Sequence, residues 1–246
     1  MKTPVSLSDF YDDFYRQEAK QNAAYQIYDQ LRSEYIRRLV KGCTGPVLIV
    51  GCGSNRDFSI ISNLSCVYAF DLSIVALRNA PQDTNLFAAD ALDIPATNNI
   101  FNVVICSEVL EHIPDIRSAV KELRRVLNAE GTLIVSSPNW ISWFGLARWL
   151  SRKITGRDIT SDRQPYDDWK TLRRYKTELS PEFEVISSRG VWYLPPFHYR
   201  RIGLPEWLMR VIYFFYSPCE AFLSRFMPKA GHLLILKCRP TSNIGS

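Results

Sequence analysis

A glycine turn and two aspartates stand directly after three successive apolar runs of the sequence. Gly51 and Gly53 follow the first run, Asp71 lies 20 positions after Gly51, and Asp90 follows the third run. Glycines between a strand and a helix let the backbone approach a ligand, and the first N–H groups of the helix can point at its polar atoms. A carboxylate after the second strand can accept hydrogen bonds from a ribose, and one after the third from an adenine amine. The spacing predicts an adenosine-containing ligand.

Each of these positions also has an ordinary structural interpretation. A glycine pair often serves only the conformation of a turn. An aspartate often caps a helix or closes a turn. The ordered arrangement at successive strand ends favours the ligand. A nicotinamide dinucleotide fits less well. Its loop reads G-x-G-x-x-G, but Asn55 and Arg56 follow Gly53 where the last glycine is expected. It also leaves Asp90 without a role.

The elements that must position these residues alternate along the chain. Short apolar runs at 46–50, 66–70, 85–89, 101–106 and 131–137 predict strands, and 183–190 and 232–238 predict two more. Amphipathic segments lie between them, and the clearest, 115–128, has Ile116, Val120, Leu123 and Leu127 on one face. This rhythm predicts an α/β fold with a Rossmann-like, doubly wound, seven-stranded and mostly parallel sheet covered on both sides. Right-handed crossovers place the strand carboxyl ends on one edge, where ligands bind.

The chain divides into four parts on this reading of the pattern. Residues 1–45 are an N-terminal helical segment, with one helix expected over 9–41 and Gly42 as its cap. Residues 46–138 are the ligand-binding core. Residues 139–240 continue the same domain with helical insertions after the fifth and sixth strands, at 139–158 and 204–228. Residues 241–246 are a tail.

The distribution of charge along the chain is uneven. The formal net charge is +5, but residues 1–140 carry 13 Lys and Arg against 16 Asp and Glu, whereas 141–246 carry 17 against 9. The basic part is rich in aromatic residues, which suits an anionic membrane surface or an anionic ligand, or else a solvated rim.

Six cysteines without C-x-x-C spacing indicate small buried side chains in a reducing compartment. The N-terminus has no signal-like apolar region and no run approaches the roughly 20 residues of a membrane span, so we expect a cytoplasmic protein.

Five stretches together resemble the successive motifs of a known family. They read "VLIVGCGSNRDF", "AFDLS", "FAADALDIP", "FNVVICSEVLEHIPD" and "LRRVLNAEGTLIVSSPN". They are similar to class I S-adenosylmethionine-dependent methyltransferases, in the broad group that includes the ubiquinone-pathway O-methyltransferases. The resemblance covers about 46–138 well and the last two strands loosely. It implies S-adenosylmethionine as cofactor and a methyl acceptor that is a small molecule or is linked to a lipid.

The resemblance also assigns residues to the cofactor. It places Gly51 and Gly53 under the methionine part and Ser107 near that part and the reacting methyl. The family usually has a third glycine where Asn55 stands. Asparagine tolerates a left-handed backbone better than other side chains, so the turn can survive.

The adenosine part falls to residues after the second and third strands. The resemblance assigns Asp71 to the ribose and Leu72 to the adenine face. It assigns Asp90 and Ala91 to the adenine edge.

Transfer to a hydroxyl acceptor also requires a base near its proton. The run "SEVLEHIPD" offers His112 and Glu111, and "PPFHYR" offers His198, whereas His232 is expected only to lead into the last strand. In the ubiquinone-pathway relatives a similar run is associated with magnesium. We favour the alternative that Glu108 and Glu111 are solvated or capping residues with His112 under the helix start, and therefore predict no metal.

The insertions are expected to select the acceptor. Their tryptophans and phenylalanines predict an apolar lid that rests on an anionic membrane surface, or two helices packed on each other as extra core. A non-catalytic adaptor that binds the cofactor and uses this surface is the alternative function. Nucleic acid is not expected, because the N-terminal half is acidic and no N/D-P-P-Y/F motif follows the fourth strand. The sequence does not predict the oligomeric state.

Overall fold

Seven strands form one mixed sheet in the computed structural model, which describes residues 6–17, 22–158, 164–195 and 204–241. The strand order is β3-β2-β1-β4-β5-β7-β6, and β7 runs antiparallel to both of its neighbours. This confirms the predicted fold class. The strands are β1 (Val47–Val50), β2 (Val67–Asp71), β3 (Asn85–Ala88), β4 (Phe101–Ser107), β5 (Leu127–Pro138), β6 (Phe183–Val191) and β7 (Leu233–Pro240).

Seven α-helices are found in the described part of the chain. They are α1 (Leu7–Arg16), α2 (Ala23–Val40), α3 (Ile74–Arg78), α4 (Ile116–Val126), α5 (Trp143–Thr155), α6 (Leu172–Leu179) and α7 (Glu206–Phe226). The insertions after β5 and β6 are helical as predicted. No helix among the described residues combines the length and apolarity needed to cross a bilayer.

The prediction of one helix over 9–41 is wrong, because two helices occupy this segment. The first ends at Arg16, and the second has its own N-cap, where the side chain of Asn22 accepts a hydrogen bond from the Tyr25 N–H at 2.8 Å. A side-chain cap of this kind satisfies an N–H group that would otherwise lack a partner. The apolar periodicity that suggested a single helix belongs entirely to α2.

Successive side chains of β1 enter two different cores. Leu48 and Val50 pack on one side of the sheet, with residues of α4 and α6. Val47 and Ile49 pack on the other side, with residues of α2. All four are buried, and each such side chain contributes roughly 1.5–3 kcal/mol relative to exposure. The alternation explains why the central strands are continuously apolar.

The carboxyl ends of β1 to β5 meet on one edge of the sheet, as expected. Because β7 is antiparallel, its first residue pairs with the last residue of β5, which brings His232 to the same edge. The last residue of β6 also pairs there. This edge carries the functional site.

Candidate functional site

The glycine turn after β1 has a left-handed backbone, which glycine and asparagine adopt more readily than other residues. Gly51 and Gly53 have φ values of 65° and 47°, and Asn55 has a φ of 64° in the left-handed region. A Cβ atom on Gly51 would lie 2.6 Å from Cγ2 of Val109. Asn55 therefore supplies the left-handed conformation itself, and its N–H donates to the Cys52 carbonyl at 2.8 Å.

Asp71 joins the end of β2 to the glycine turn. Its Oδ2 accepts from the Gly53 N–H at 2.9 Å, and its Oδ1 accepts from the Ser73 N–H at 2.8 Å. The side chain is buried, and this burial raises the pKa of the carboxyl above its ordinary value. Each carboxylate oxygen keeps a second acceptor direction. The group can hold the turn and still accept from ligand hydroxyls.

A cavity of about 830 Å³ opens beside these residues. Leu72, Asp90 and Ala91, which the family resemblance assigns to the adenine, line it. The Asp90 carboxylate accepts from the Leu92 N–H at 2.9 Å and is exposed. The volume lies in the range of small-molecule and cofactor sites.

Helix α1 covers one side of the cavity, which the sequence analysis did not anticipate. Its lining residues from this helix are mainly apolar or aromatic, and they are Leu7, Phe10, Tyr11, Asp13, Phe14 and Tyr15. The spacing of these aromatic residues on a short helix was the available signal. A Cβ atom on Gly53 would lie 2.7 Å from the Tyr15 hydroxyl oxygen, so Tyr15 lies directly over the turn.

Ser107 is not brought into the cavity. Its side chain is buried within β4, where the residue pairs with Ser136 of β5. The chain turns only at the next residue, Glu108, which has a φ of 55°. Among the described residues, Glu108 and Val109 line the cavity in its place. Gly53 is likewise outside the lining, because Tyr15 covers it.

A buried cluster of charges supports this part of the site and was missed from the sequence. Arg32, on α2, has no exposed surface, and its guanidinium lies 2.5 Å from the Asp57 carboxylate and 2.9 Å from that of Asp29. Arg56 lies 3.3 Å from both Asp29 and Glu108. The cluster connects α2, the glycine turn and the end of β4. Apart from Arg32 and Asp29, which are three positions apart, its partners are distant in sequence, so no local motif indicates it.

Glu111 is buried at the start of a polar chain. Its Oε2 accepts from the Ser137 hydroxyl at 2.7 Å, and that hydroxyl lies 2.5 Å from the Tyr175 hydroxyl. Burial raises the pKa of Glu111 to about 7. Glu108 is engaged in ion pairs, so the interpretation of both glutamates as solvated or capping residues is wrong.

The ring of His112 lines the cavity from a turn of 3₁₀-helix, Leu110–His112. Its Nδ1 lies 3.0 Å from the Tyr166 carbonyl oxygen, and a carbonyl can only accept, so Nδ1 carries the hydrogen. In the neutral ring Nε2 is then the acceptor. The Asp167 carboxylate lies 3.9 Å from Nδ1.

The structure describes only one of the other two histidines. His198 lies outside the described residues. His232 does more than lead into β7, because it lines the cavity with Trp169, whose ring centroid lies 5.4 Å from its own. Burial, aided by the charge of Arg148, lowers the pKa of His232 to about 3. His232 is therefore a neutral wall of the site rather than a base.

The described residues contain no group of three or more His, Cys, Asp and Glu side chains placed to hold a metal ion. Glu108 and Glu111 instead face different partners, Arg56 and Ser137.

Comparisons with known proteins agree with this geometry. A family model described as a methyltransferase domain matches residues 48–135. A ubiquinone biosynthesis O-methyltransferase of Albidiferax ferrireducens is 31% identical over 150 residues, which are 55% of this chain and 59% of that protein. Together these similarities support a class I S-adenosylmethionine-dependent methyltransferase. None of these matches supports the alternative of a non-catalytic adaptor.

Two further similarities extend over nearly the whole methyltransferase. An uncharacterized protein of Methanocaldococcus jannaschii is 24% identical over 240 residues, covering 94% of this chain and 97% of that protein. A structure of an S-adenosylmethionine-dependent methyltransferase from Thermotoga maritima superposes with a TM-score of 0.63 at 13% identity, covering 95% and 99% of the two chains. The latter similarity concerns the fold alone.

The residues of the site fit the methyl donor of this family. The glycine turn lacks room for side chains, and the buried Asp71 has acceptor capacity toward the cavity. The cavity lining also holds one guanidinium, that of Arg56, against six carboxylates, which complements a positively charged sulfur. The carboxylates belong to Asp13, Asp71, Asp90, Glu108, Glu111 and Asp167.

Proposed function

We propose that this methyltransferase transfers a methyl group from S-adenosylmethionine to a hydroxyl oxygen of a small, uncharged, largely aromatic acceptor, free or attached to a lipid. The observation that carries the proposal is the setting of His112. Its ring lines the cavity with Nδ1 fixed on the Tyr166 carbonyl, which leaves Nε2 to receive a proton.

In the proposed complex the protein's own residues bind and orient. Asp71 holds ribose hydroxyls, Leu72 and Ala91 pack at the adenine, and Asp90 accepts from its amine. Gly51 lets the backbone approach the methionine part. Bound S-adenosylmethionine supplies an electrophilic methyl group, so the protein mainly positions the acceptor and removes its proton.

His112 is the proposed base for that proton. The Asp167 carboxylate lies 3.9 Å from Nδ1 of the ring and would stabilise the imidazolium that forms when Nε2 takes the proton. A positioned base of this kind contributes roughly 10²–10⁴-fold to a rate. The same logic of an oriented, charge-stabilised imidazole operates in hydrolytic triads.

The walls of the cavity favour an uncharged, flat acceptor. Tyr25, Tyr28, Trp169 and His232 line it, and such rings pack well against an aromatic molecule. Its carboxylates would repel an acceptor that carries a negative charge near the reacting oxygen. The O-methyltransferase of Albidiferax ferrireducens supports oxygen as the target, because its name describes that chemistry in ubiquinone biosynthesis.

The experiment measures transfer of a labelled methyl group to neutral phenols, catechols and hydroquinones, with and without alkyl tails. We expect wild type to methylate oxygen, and His112→Gln to lower kcat by about 10²-fold or more, because the amide cannot take the proton. Glutamine can still donate to the Tyr166 carbonyl, so the fold and the affinity for S-adenosylmethionine should be retained. Each acceptor is paired with its carboxylate-bearing analogue, which should react more slowly.

Two outcomes would contradict the proposal. Product methylated at nitrogen or carbon would exclude the oxygen target. Full activity of His112→Gln on a hydroxyl acceptor would exclude His112 as the base.

A further inference from the structure

Helix α5 carries an apolar stripe on the side that faces away from the protein. Trp143, Leu146, Leu150 and Ile154 follow one another at helical spacing, and all four are exposed, Ile154 by 79%. The side turned inward buries Arg148 instead, in ion pairs with Asp158 and Asp167. A surface helix of a globular protein normally has the opposite arrangement.

Helix α7 shows the same inversion over a greater length. Its exposed apolar residues lie mainly along one stripe, and they are Trp207, Val211, Phe214, Phe215, Phe222 and Phe226. Glu220 and Ser224 are buried. Glu220 accepts hydrogen bonds from the Trp192 and Tyr193 N–H groups at 2.7 and 3.1 Å.

The end of α7 and the start of α5 are connected through one side chain. The Asn139 amide donates to the carbonyls of Ile141 and Lys229, each at 2.8 Å, and to that of Gly231 at 2.9 Å. Ile141, just before α5, is itself exposed, as is Met227, just after α7. We call the exposed apolar residues of 141–154 and 207–227 the outer face.

The exposed charges around the outer face are mainly positive. The sequence 139–157 contains no acidic residue, and its exposed cations are Lys153, Arg157 and Arg152, of which Arg152 pairs with Asp158. Around α7 the exposed cations are Arg210, Arg225 and Lys229. Glu206 pairs with Arg210 at the start of the helix, and the other acidic residue of the helix, Glu220, is buried.

We propose that the outer face docks this protein on an anionic lipid bilayer, with α5 and α7 lying in the headgroup region. Helices with tryptophan and phenylalanine on one side and cations beside them bind such surfaces through apolar burial and charge attraction together. A second copy of the chain is the less suitable partner, because a two-fold interface would place the same cations opposite one another. Docking on a bilayer does not depend on which acceptor is methylated.

The experiment is co-sedimentation of the full chain with vesicles of phosphatidylcholine, with and without phosphatidylglycerol. We expect binding to the anionic vesicles that weakens as salt is added. The triple variant Trp207→Ser, Phe214→Ser, Phe215→Ser should lose binding by about tenfold or more. The triple variant Arg152→Gln, Lys153→Gln, Arg157→Gln should lose a similar factor, and only on anionic vesicles.

The matched control is Ile74→Ser with Leu86→Ser, two exposed apolar residues on α3 and β3 at the opposite end of the sheet. This control should bind as wild type does, and thermal unfolding should show that every variant is folded. Absence of wild-type binding to anionic vesicles would overturn the proposal, as would equal binding by the aromatic variant. A wild-type dimer that the aromatic substitutions dissociate would assign the face to a second copy instead.

Discussion

Two regions of this molecule depart in opposite ways from the rule that apolar side chains are buried and charged side chains are exposed. Beside the glycine turn, Arg32 is fully buried in ion pairs with Asp57 and Asp29. On α7, Phe214 and Phe215 are 74% and 75% exposed. In the first region, burial of charged groups has a desolvation cost, and their ion pairs hold the ligand site in shape. The second leaves apolar surface for a partner outside the chain. Substitutions in the first region should therefore lower the free energy of unfolding, and substitutions of the exposed rings in the second should not.

The largest effect is expected for Arg32→Met. Removal of the guanidinium leaves the carboxylate of Asp57 buried without its partner, which costs about 3–5 kcal/mol of unfolding free energy. Chemical denaturation measures this loss. Arg38→Met is the matched control, because Arg38 is on the same helix in an exposed pair with Glu34 and should cost about 1 kcal/mol or less. Equal costs for the two variants would remove the distinction between the buried cluster and ordinary surface pairs.

A somewhat smaller, pH-dependent effect is expected for Glu111→Gln. The pKa of Glu111 rises from 4.5 to about 7 on folding, so the folded state binds the extra proton between these pH values. Wild-type stability therefore falls as pH rises through this window, whereas glutamine does not titrate. The variant should gain up to about 3 kcal/mol relative to wild type between about pH 4 and pH 8. Denaturation across pH measures this, and Glu130→Gln, at an exposed site, should show no such trend.

The next effect concerns cofactor affinity. Asp71→Ala should weaken binding of S-adenosylmethionine by about 1–3 kcal/mol, because ribose hydroxyls would lose a charged acceptor. Asp71→Asn keeps one acceptor oxygen and should lose less. Calorimetry gives the dissociation constants, with Asp83→Ala as an exposed control. Wild-type affinity in Asp71→Ala would refute the ribose assignment.

The smallest effect is expected on α7. Phe214→Ala and Phe215→Ala should each change the unfolding free energy by about 0.5 kcal/mol or less, because both rings are already in solvent. Phe101→Ala, in the core, should cost about 3–5 kcal/mol. Comparable losses for Phe214 and Phe101 would mean that the ring of Phe214 contributes to packing, and the outer face would then not be a free surface.

Much of the ligand edge could be predicted from the sequence because chain geometry fixes it. Parallel strands joined by right-handed crossovers must end on one edge, so Asp71 and Asp90 reach the cavity regardless of distant detail. The left-handed conformation of Asn55 follows from the tight turn and the tolerance of its side chain. The roles of these residues toward the cofactor stay predictions.

Other features depended on contacts that no local pattern encodes. The pairing of Arg32 with Asp57 joins residues 25 positions apart. Ser107 was expected at the cavity, but the left-handed turn at Glu108 keeps it inside the sheet. The amphipathic pattern of α5 predicted the helix correctly. That pattern does not show which face of α5 is turned toward the sheet, because the periodicity is the same for either orientation of the helix.

Helix α1 has a consequence for turnover. None of its residues is fully buried, and hydrogen bonds anchor it: Ser8 donates to the Leu72 carbonyl, and Asp12 accepts from the Ser73 hydroxyl and the Val75 N–H. An element with so little buried surface opens at lower free energy than the sheet beneath it. Since Tyr15 lies over the glycine turn, we predict that this opening is the route by which the donor enters and the spent cofactor leaves. The amide protons of α1 should therefore exchange with solvent faster than those of β1 and slow down when cofactor binds, and the opening rate would set an upper limit on cofactor exchange by this route.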